Sequence, residues 1–451
     1  MLKLTFVDEP TFMSIHTTVM PYLAQCVSSN ELLYSQRYLL ELKRKLLRQP
    51  HNLKVFIKID DPYSYILLQM LPQFIARYGK LMPLHVAFHP ISSQDHNAFP
   101  EPLLWQQNAF NDCQYLAKLY DVDFPDTDLS HRAHKVMAIK SLLACEPSTT
   151  ALQQFITIFE QFWQGKPTSN NANASLSLVE DEVLARNAAL LKNLGHYQAG
   201  TIYYGNEWYW GIDRLAYLEQ RLIALSRQNL APLCTKTRLQ LNHSLASQPR
   251  HCQQASLTLY FSIRSPYSHL GLEQAIKLTQ KYQIPLIIKP VLPMLMRGLA
   301  VPKAKKMYIF HDTTREARRL NIDYGKVADP LGKGVERCYA IFDYAQQQGK
   351  ATAYLLNYSR AVNSQGIHSD TTEGLKHIVE RSGLDWQHAQ SLLTQTNWRQ
   401  WAQQNLDEMV ALGLWGVPSF HYQDKHRQLS VWGQDRLARI AQLLETTPED
   451  E

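Results

Sequence analysis

The sequence predicts an α/β fold built from two similar halves, and three observations carry this prediction. An apolar run, a polar turn and a helical pattern follow one another twice, at residues 55–78 and 257–282. Matching polar and apolar positions then follow in the same order in both halves. Both halves also close on Trp-Gly-x-Asp-Arg-Leu, at residues 210–215 and 432–437. Agreement of this length is improbable by chance, so we interpret the chain as a tandem duplication.

Each half is predicted to contain strand, turn, helix, strand, a long helical insert, a strand pair and a final helix. Strands followed by helices and then a hairpin are typical of a layered α/β arrangement with a mixed sheet. The apolar and alternating runs locate the strands. They are predicted at residues 55–59, 84–88, 201–204 and 208–210 in the first half, and at 257–263, 286–288, 419–422 and 428–432 in the second.

The domain boundaries follow from the repeat and from changes in composition. Residues 1–50 form an N-terminal helical segment, and residues 51–226 form the first domain. A polar, proline-containing stretch at 227–254 is predicted to be a linker, with room for one short helix, and 255–446 form the second domain. Within the first segment, residues 31–47 have mixed helical periodicity with basic residues between the leucines. We expect an amphipathic helix that packs on a domain, with a membrane-surface helix as the alternative.

Composition narrows the class of protein. A length of 451 residues suffices for two domains with full cores. The net charge of +6 is not concentrated in a basic block, so no nucleic-acid partner is expected. No apolar run reaches the roughly 18 residues of a transmembrane helix, and no signal peptide or membrane partner is expected.

The six cysteines are scattered and form no C-x-x-C pair. This spacing argues against a zinc site, a disulfide framework and a dithiol redox centre, so we expect no metal and a cytoplasmic protein.

The second half carries the stretch most typical of a functional site, Ser265-Pro266-Tyr267-Ser268. It lies where a predicted strand gives way to a helix. Unpaired N–H groups and the positive end of the helix dipole meet there, which stabilises an anionic or polar sulfur or oxygen group. The plainer alternative for Ser265 is a helix N-cap, a position that serine favours.

With these residues, the second half resembles the DsbA-like thioredoxin-fold family. Within it, the resemblance is to the 2-hydroxychromene-2-carboxylate isomerases and the kappa-class glutathione transferases, and it covers residues 256–445. It also rests on the matching segments at 289–290, 305–315, 383–385, 416–418 and 433–437. The resemblance implies two thioredoxin-like domains, each with a helical insertion. It implies a glutathione-dependent isomerase or transferase that acts on a small electrophilic or aromatic substrate.

The resemblance also implies roles for individual residues. Ser265 would hydrogen-bond the glutathione sulfur and favour its thiolate, which is chemically consistent with a hydroxyl at a helix N-terminus. Val417, before the family's cis-proline, would bind the peptide backbone, and Asp435 would take the γ-glutamyl ammonium. The other expected substrate- and glutathione-binding residues are Tyr267, Ser268, Lys305, Pro418 and Gln434.

Two positions depart from the family pattern. Gln434 stands where the family has serine, although an amide can still donate and accept hydrogen bonds. The asparagine that precedes the family lysine has no counterpart at residues 297–300. Plainer interpretations also stay open. Lys305 is then a solvated lysine, Asp435 a first-turn dipole partner, and Tyr308 packs within its own helix.

The first half has lost more of the pattern. Asp61 stands at the serine position, Gly200 at the proline position and Ile212 at the ligand position of the closing helix. We interpret this half as a degenerate domain that pairs with the second half within one chain, packs against it or gates its cleft. An alternative is that Asp61 acts as a general base.

Two other functions remain to be weighed. A thioredoxin-like cleft with a cis-proline can bind an extended peptide by strand addition without catalysis. A disulfide oxidoreductase is disfavoured, because Ser265 and Ser268 occupy both sulfur positions. The expected partners are a small-molecule substrate and the chain's own other half, and a homodimer is left open.

Overall fold

A computed structural model describes residues 15–93, 96–128, 132–166, 175–239 and 255–446. It contains two four-stranded mixed sheets, one in each half of the chain. We call residues 51–226 the first half and residues 255–446 the second half.

The N-terminal segment is a helical hairpin of α1 (Ile15–Val27) and α2 (Asn30–Leu46). The predicted helix at 31–47 is α2, and α1 was not predicted as a separate element. Ser29 caps α2 by accepting a hydrogen bond from the N–H of Leu32 at 3.1 Å. The hairpin touches both halves, since Arg37 pairs with Glu207 and Arg318 donates to the carbonyl of Ser28.

The first half has strands in the spatial order β2-β1-β3-β4. Only β1 and β2 run parallel, and the other pairs are antiparallel. Among the described residues, four helices separate the two strand pairs. In chain order the elements are β1 (His51–Ile57), α3 (Pro62–Tyr78), β2 (Leu84–Pro90), α4 (Pro102–Tyr120), α5 (Arg132–Ala144), α6 (Leu152–Trp163), α7 (Leu178–Asn193), β3 (Thr201–Tyr204), β4 (Glu207–Trp210) and α8 (Gly211–Ser226).

The second half repeats this order as β6-β5-β7-β8, again with one parallel pair. Its insert contains six helices instead of four. The elements are β5 (Ser256–Phe261), α9 (Pro266–Tyr282), β6 (Leu286–Pro290), α10 (Lys303–Leu320), α11 (Lys333–Gln347), α12 (Ala351–Arg360), α13 (Thr372–Arg381), α14 (Trp386–Ser391), α15 (Trp398–Ala411), β7 (Ser419–Gln423), β8 (Gln428–Trp432) and α16 (Leu437–Glu445). The equal strand order agrees with the repeat, and the duplication itself remains our interpretation.

The inner strand β5 explains how the site is positioned. Helices cover both faces of the sheet, and an inner strand is then buried on both sides. Accordingly, β5 is apolar almost throughout, and its last five residues are buried. Tyr260 of β5 pairs with Ser419 of β7. The turn that leads into α9 and the turn that leads into β7 therefore meet at the same end of the sheet.

The remaining expectations for the fold concern the linker and membranes. Residues 227–239 contain no helix or strand, and residues 240–254 of the predicted linker lie outside the described residues. In the described parts of the chain, no helix is long and apolar enough to cross a membrane.

Candidate functional site

Ser265 is the N-cap residue of α9. Its φ and ψ of −84° and 116° are extended, and its Oγ accepts a hydrogen bond from the N–H of Ser268 at 3.2 Å. Pro266 follows at the first helical position, which needs no N–H donor. The Ser265 hydroxyl is partly exposed and donates to the carbonyl oxygen of Val417 over a long 3.4 Å. It therefore faces the turn before β7.

That turn contains a cis peptide bond between Val417 and Pro418. Pro418 packs against Gly271 of α9, where a Cβ would lie only 3.2 Å from the proline ring. The carbonyl of Val417 has only the weak bond from Ser265, and its N–H has no partner among the described residues. Val417 thus presents a backbone donor and an acceptor beside the Ser265 hydroxyl.

The last two residues of the turn before α9, Tyr267 and Ser268, point into the protein. Ser268 is buried, and its Oγ accepts from the N–H of Ser262 at 3.3 Å. The Tyr267 hydroxyl donates to Asp312 at 2.7 Å. Burial and the neighbouring Asp312 carboxylate raise the pKa of Tyr267 well above its usual value, so the phenol stays protonated.

Asp435 is held by an arginine of the other half. Arg214 donates to both carboxylate oxygens of Asp435, at 3.1 and 2.9 Å. Gln434 donates to Asp435 at 2.7 Å and to Glu316 at 3.2 Å. Burial raises the pKa of Asp435 to about 6 against the opposing effect of Arg214. The Asp435 side chain keeps 23% of its surface exposed, whereas that of Arg214 keeps 4%.

Arg214 and Arg436 form a reciprocal pair of ionic contacts between the halves. Arg214 of the first half also binds both oxygens of Asp312 in the second, at 2.9 and 2.8 Å. Arg436 of the second half binds Asp112 at 2.5 and 2.7 Å and Asp213 at 3.0 and 2.9 Å, both in the first half. We call these six residues the arginine clamp: Arg214, Asp312, Asp435, Arg436, Asp112 and Asp213.

Asp435 is a site residue predicted from the sequence, whereas its partner Arg214 was not predicted. The missed signal was the repeat itself. Asp112 and Asp312 occupy matching positions, and both closing motifs contain Asp-Arg. The arginine of each closing motif pairs with the matching aspartate of the other half, Arg214 with Asp312 and Arg436 with Asp112.

Lys305 lies apart from these contacts, in a buried position on α10. Its Nζ donates to the carbonyl of Ala98 in the first half at 2.6 Å and lies 5.4 Å from the ring centroid of Trp415. Loss of hydration lowers the pKa of Lys305 to about 8. Tyr308 on the same helix packs edge-on against His196 of the first half, at 4.6 Å between ring centroids. This face of α10 therefore packs against the first half, and the interpretation of Lys305 as a solvated side chain is wrong.

The structure sorts the predicted site residues into three groups. Ser265, Ser268, Val417 and Pro418 surround the N-terminus of α9. Tyr267, Gln434 and Asp435 join the hydrogen-bonded network around Arg214. Lys305 contacts neither group directly among the described residues. The roles assigned to these residues stay predictions.

The matching position in the first half is closed. Asp61 caps α3, and one of its oxygens accepts from both the N–H and the hydroxyl of Ser64, at 2.8 and 2.5 Å. Burial outweighs these hydrogen bonds and raises the pKa of Asp61 to about 6. Gly200 lies directly against it, since a Cβ there would be 3.0 Å from the carboxylate.

The described residues contain no cluster of three or more His, Cys, Asp or Glu side chains that could hold a metal ion. The five described cysteines are free thiols, and none lies in the turn before α3 or α9.

Comparison with known proteins gives a family for the second half. Residues 256–445 match the family model of the DsbA-like thioredoxin domain. This match and the two sheets confirm the predicted fold class of α/β domains with helical insertions. No curated protein sequence matches the chain.

Several solved structures are similar to part of the chain. A 2-hydroxychromene-2-carboxylate isomerase is 24% identical with a TM-score of 0.36, over 42% of this chain and 94% of that one. A probable DsbA oxidoreductase from Streptomyces coelicolor is 15% identical with a TM-score of 0.34, over 43% and 92%. The cytosolic disulfide reductase DsbM from Pseudomonas aeruginosa is 15% identical with a TM-score of 0.32, over 44% and 100%.

Proposed function

Since residues 256–445 are a DsbA-like thioredoxin domain, we propose that the second half binds glutathione in a cytoplasmic, non-redox isomerase or transferase reaction on a small electrophilic substrate. The observation that carries this proposal is the partly exposed Ser265 hydroxyl at the N-terminus of α9, beside the backbone of Val417, whose N–H has no partner among the described residues.

The chemistry of this position favours a thiolate. A thiol becomes a better nucleophile when its anion is stabilised, and a hydroxyl donor together with a helix N-terminus lowers its pKa. The Ser265 hydroxyl has only a long bond to Val417 to give up. It can therefore turn to a sulfur at little cost, while its oxygen still caps α9.

The same residues argue against disulfide exchange. That reaction needs a protein sulfur to form the mixed disulfide, and both Ser265 and Ser268 carry oxygen instead. The nucleophile of the proposed reaction must come from the bound thiol, which adds reversibly to an electrophilic carbon of the substrate. The chain's part is to bind, orient and ionise it.

The ends of glutathione find partial complements. The N–H and C=O of Val417 suit the backbone of the cysteinyl residue in extended form. The γ-glutamyl end carries an ammonium and a carboxylate on one carbon, and the exposed part of Asp435 is the complement of the ammonium. Lys305 already donates to Ala98, so only its remaining protons are free for the glycyl carboxylate.

The test is calorimetric titration with glutathione and with S-methylglutathione, which has no ionisable thiol. We expect binding of glutathione in the micromolar to millimolar range, and weaker binding of the methylated ligand. Ser265→Ala raises the pKa of the bound thiol by about one unit, read from thiolate absorbance against pH. Asp435→Asn weakens binding about tenfold and leaves that pKa unchanged.

Ser177→Ala is the matched control, since Ser177 caps α7 in the same way and lies outside the site. It should change neither binding nor the thiol pKa. Unchanged glutathione binding and thiol pKa in Ser265→Ala would contradict the proposal.

One observation favours a second candidate, a peptide-binding cleft without catalysis. Gln434, Asp435 and Lys305 already have partners within the chain. The N–H of Val417 has none among the described residues, and its carbonyl has only the long bond from Ser265. Backbone pairing is what a peptide needs in strand addition. Equal affinity for glutathione and S-methylglutathione, with no effect of Ser265→Ala, would favour this candidate over the first.

A further inference from the structure

The helical hairpin of α1 and α2 presents a large apolar surface to solvent. Most large apolar side chains of a folded domain are covered, and the largest apolar patch of a typical monomer measures about 300–600 Å². Here the exposed set lies on two consecutive helices. It comprises Val19, Met20, Tyr22, Leu23, Val27, Tyr34, Tyr38, Leu39, Leu42, Leu46 and Leu47.

Helix α2 has two distinct faces. The inner face is half-buried and includes Arg37, which forms two hydrogen bonds with Glu207 at 2.7 Å. The outer face bears an apolar residue every fourth position, at Tyr34, Tyr38, Leu42 and Leu46, which aligns them in one stripe. These four are 60%, 68%, 42% and 75% exposed. The stripe is therefore not what holds α2 on the protein.

The size of the surface matches a protein–protein interface. Eleven large side chains, each about half exposed, offer on the order of 1,000 Å² of contact area. A stable interface needs about 800 Å² from each partner. The exposed side chains of the hairpin together are of this order.

We propose that this surface joins two copies of the chain into a dimer, with the two α2 helices antiparallel across a two-fold axis near Tyr38. Glu31 and Lys45 both lie on the outer side of α2, each seven residues from Tyr38. Antiparallel pairing about Tyr38 places Glu31 of one copy opposite Lys45 of the other, twice by symmetry. It also places Tyr34 opposite Leu42.

This charge pattern selects a second copy over a lipid surface. Lys45 is 67% exposed and has only a 3.9 Å contact with Glu41, so it is available to a partner. An anionic bilayer attracts Lys45 and repels Glu31, which lies in the same exposed face. A second copy satisfies both charges at once. The dimer surface does not include the Ser265 site and is independent of the proposed function.

The test is sedimentation velocity from low micromolar to about 100 µM. We expect a species of twice the 52.0 kDa chain mass, and a monomer when Leu39→Glu places a charge in the exposed apolar surface of the hairpin. Leu178→Glu is the matched control, because Leu178 is 84% exposed on α7, far along the chain from the hairpin. It should leave the dimer intact. Circular dichroism confirms that each variant is folded.

Charge reversal tests the pairing itself. Glu31→Lys or Lys45→Glu alone should raise the dimer dissociation constant about tenfold, because each loses both symmetry-related pairs. The double variant should return to within about twofold of the original chain.

Two outcomes would overturn the proposal. One is a monomer at every concentration, and the other is a double variant no tighter than the single ones. A monomeric chain that sediments with phosphatidylserine vesicles, and loses this binding in Leu39→Glu, would assign the surface to lipid instead.

Discussion

The N-termini of α3 and α9 occupy matching places in the two halves and expose different chemistry. Asp61 and Ser265 both cap their helices by accepting from the N–H three residues on, and a proline follows each. Asp61 is only 1% exposed, and its carboxylate also takes the Ser64 hydroxyl. Ser265 is partly exposed and keeps its hydroxyl for a weak bond.

The residue before the third strand of each half accounts for the difference. Gly200 has a φ of +67° and brings the backbone so close that a Cβ would lie 3.0 Å from Asp61. In the second half Pro418 packs on Gly271 instead, and Ser265 faces the backbone of Val417. The two halves share one scaffold and differ at two positions that are distant in sequence: Asp61 and Gly200 in the first half, Ser265 and Pro418 in the second. The N-terminus of α3 is thus closed, and that of α9 stays accessible.

The arginine clamp, by contrast, treats the halves alike. Each arginine binds two aspartates of the opposite half, and each has 5% or less of its side chain exposed. The clamp therefore does not account for the difference between the closed and open termini.

The largest expected effect comes from breaking the clamp. Arg214→Ala removes the arginine hydrogen bonds of Asp312 and Asp435, and Arg436→Ala does the same to Asp112 and Asp213. Each should lower the free energy of unfolding by about 3–5 kcal/mol, because an uncompensated buried charge is costly. Urea denaturation measures this.

Arg264→Ala is the control for that experiment. Arg264 pairs with Asp329, whose side chain is 52% exposed, so the loss should stay below about 1 kcal/mol. If one clamp variant lost much of its free energy of unfolding and the other lost none, the two arginines would not contribute equally to stability.

The second prediction concerns the buried carboxylate of Asp61. Its pKa is about 6 in the folded chain and about 3.9 in the unfolded chain. The folded state therefore holds the proton more tightly between these values, and stability falls as pH rises through this window. Relative to Asp61→Asn, the free energy of unfolding should fall by about 3 kcal/mol from pH 3.5 to 7.

Asp424→Asn provides a control of opposite sign. Burial of Asp424 is outweighed by hydrogen bonds from Tyr422, His426 and Arg427, which lower its pKa to about 2. Its contribution to stability is present above about pH 4 and is lost as pH falls toward 2.

If the Asp61→Asn variant and the original chain had the same pH dependence of stability, Asp61 would not be a buried acid with a raised pKa.

The smallest effect sharpens the role of Gly200. Gly200→Ala meets both an unfavourable φ and a crowded site, whereas Gly298→Ala, at a φ of +76°, has no atom within 4 Å of the new Cβ. The conformational cost is common to both, roughly 1 kcal/mol. Gly200→Ala should therefore cost about 1–2 kcal/mol more in thermal or urea unfolding. Equal costs would show that the backbone yields at Gly200.

The sequence predicted the strands well, because each is a short apolar or alternating run. The runs at 201–204 and 428–432 coincide with β3 and β8, and other strands differ by one to four residues at an end. Helix starts were less accurate. The helical pattern of the second half starts at residue 270 in the sequence, whereas α9 begins at Pro266, since the capping turn supplies its first residues without an apolar pattern.

The candidate site was predictable only in its local part. Ser265 caps α9 through the N–H three residues on, and Val417 directly precedes Pro418, so both are recognisable from their neighbours in sequence. Arg214, the partner of Asp435, lies 221 residues away in the sequence. The buried Lys305 donates to the carbonyl of Ala98, which lies 207 residues away. Such contacts depend on how the halves pack, and a local pattern does not contain that information.

The arginine clamp gives the chain a property that a string of independent domains lacks. Each half carries one arginine and two aspartates of the clamp, and in isolation these would lose their partners in the opposite half. A gene for residues 255–446 alone should therefore yield an insoluble or unstable product. Two co-expressed fragments, divided between residues 227 and 254, should reassemble through the ion pairs of the clamp. The covalent link then only raises the effective concentration of one half near the other.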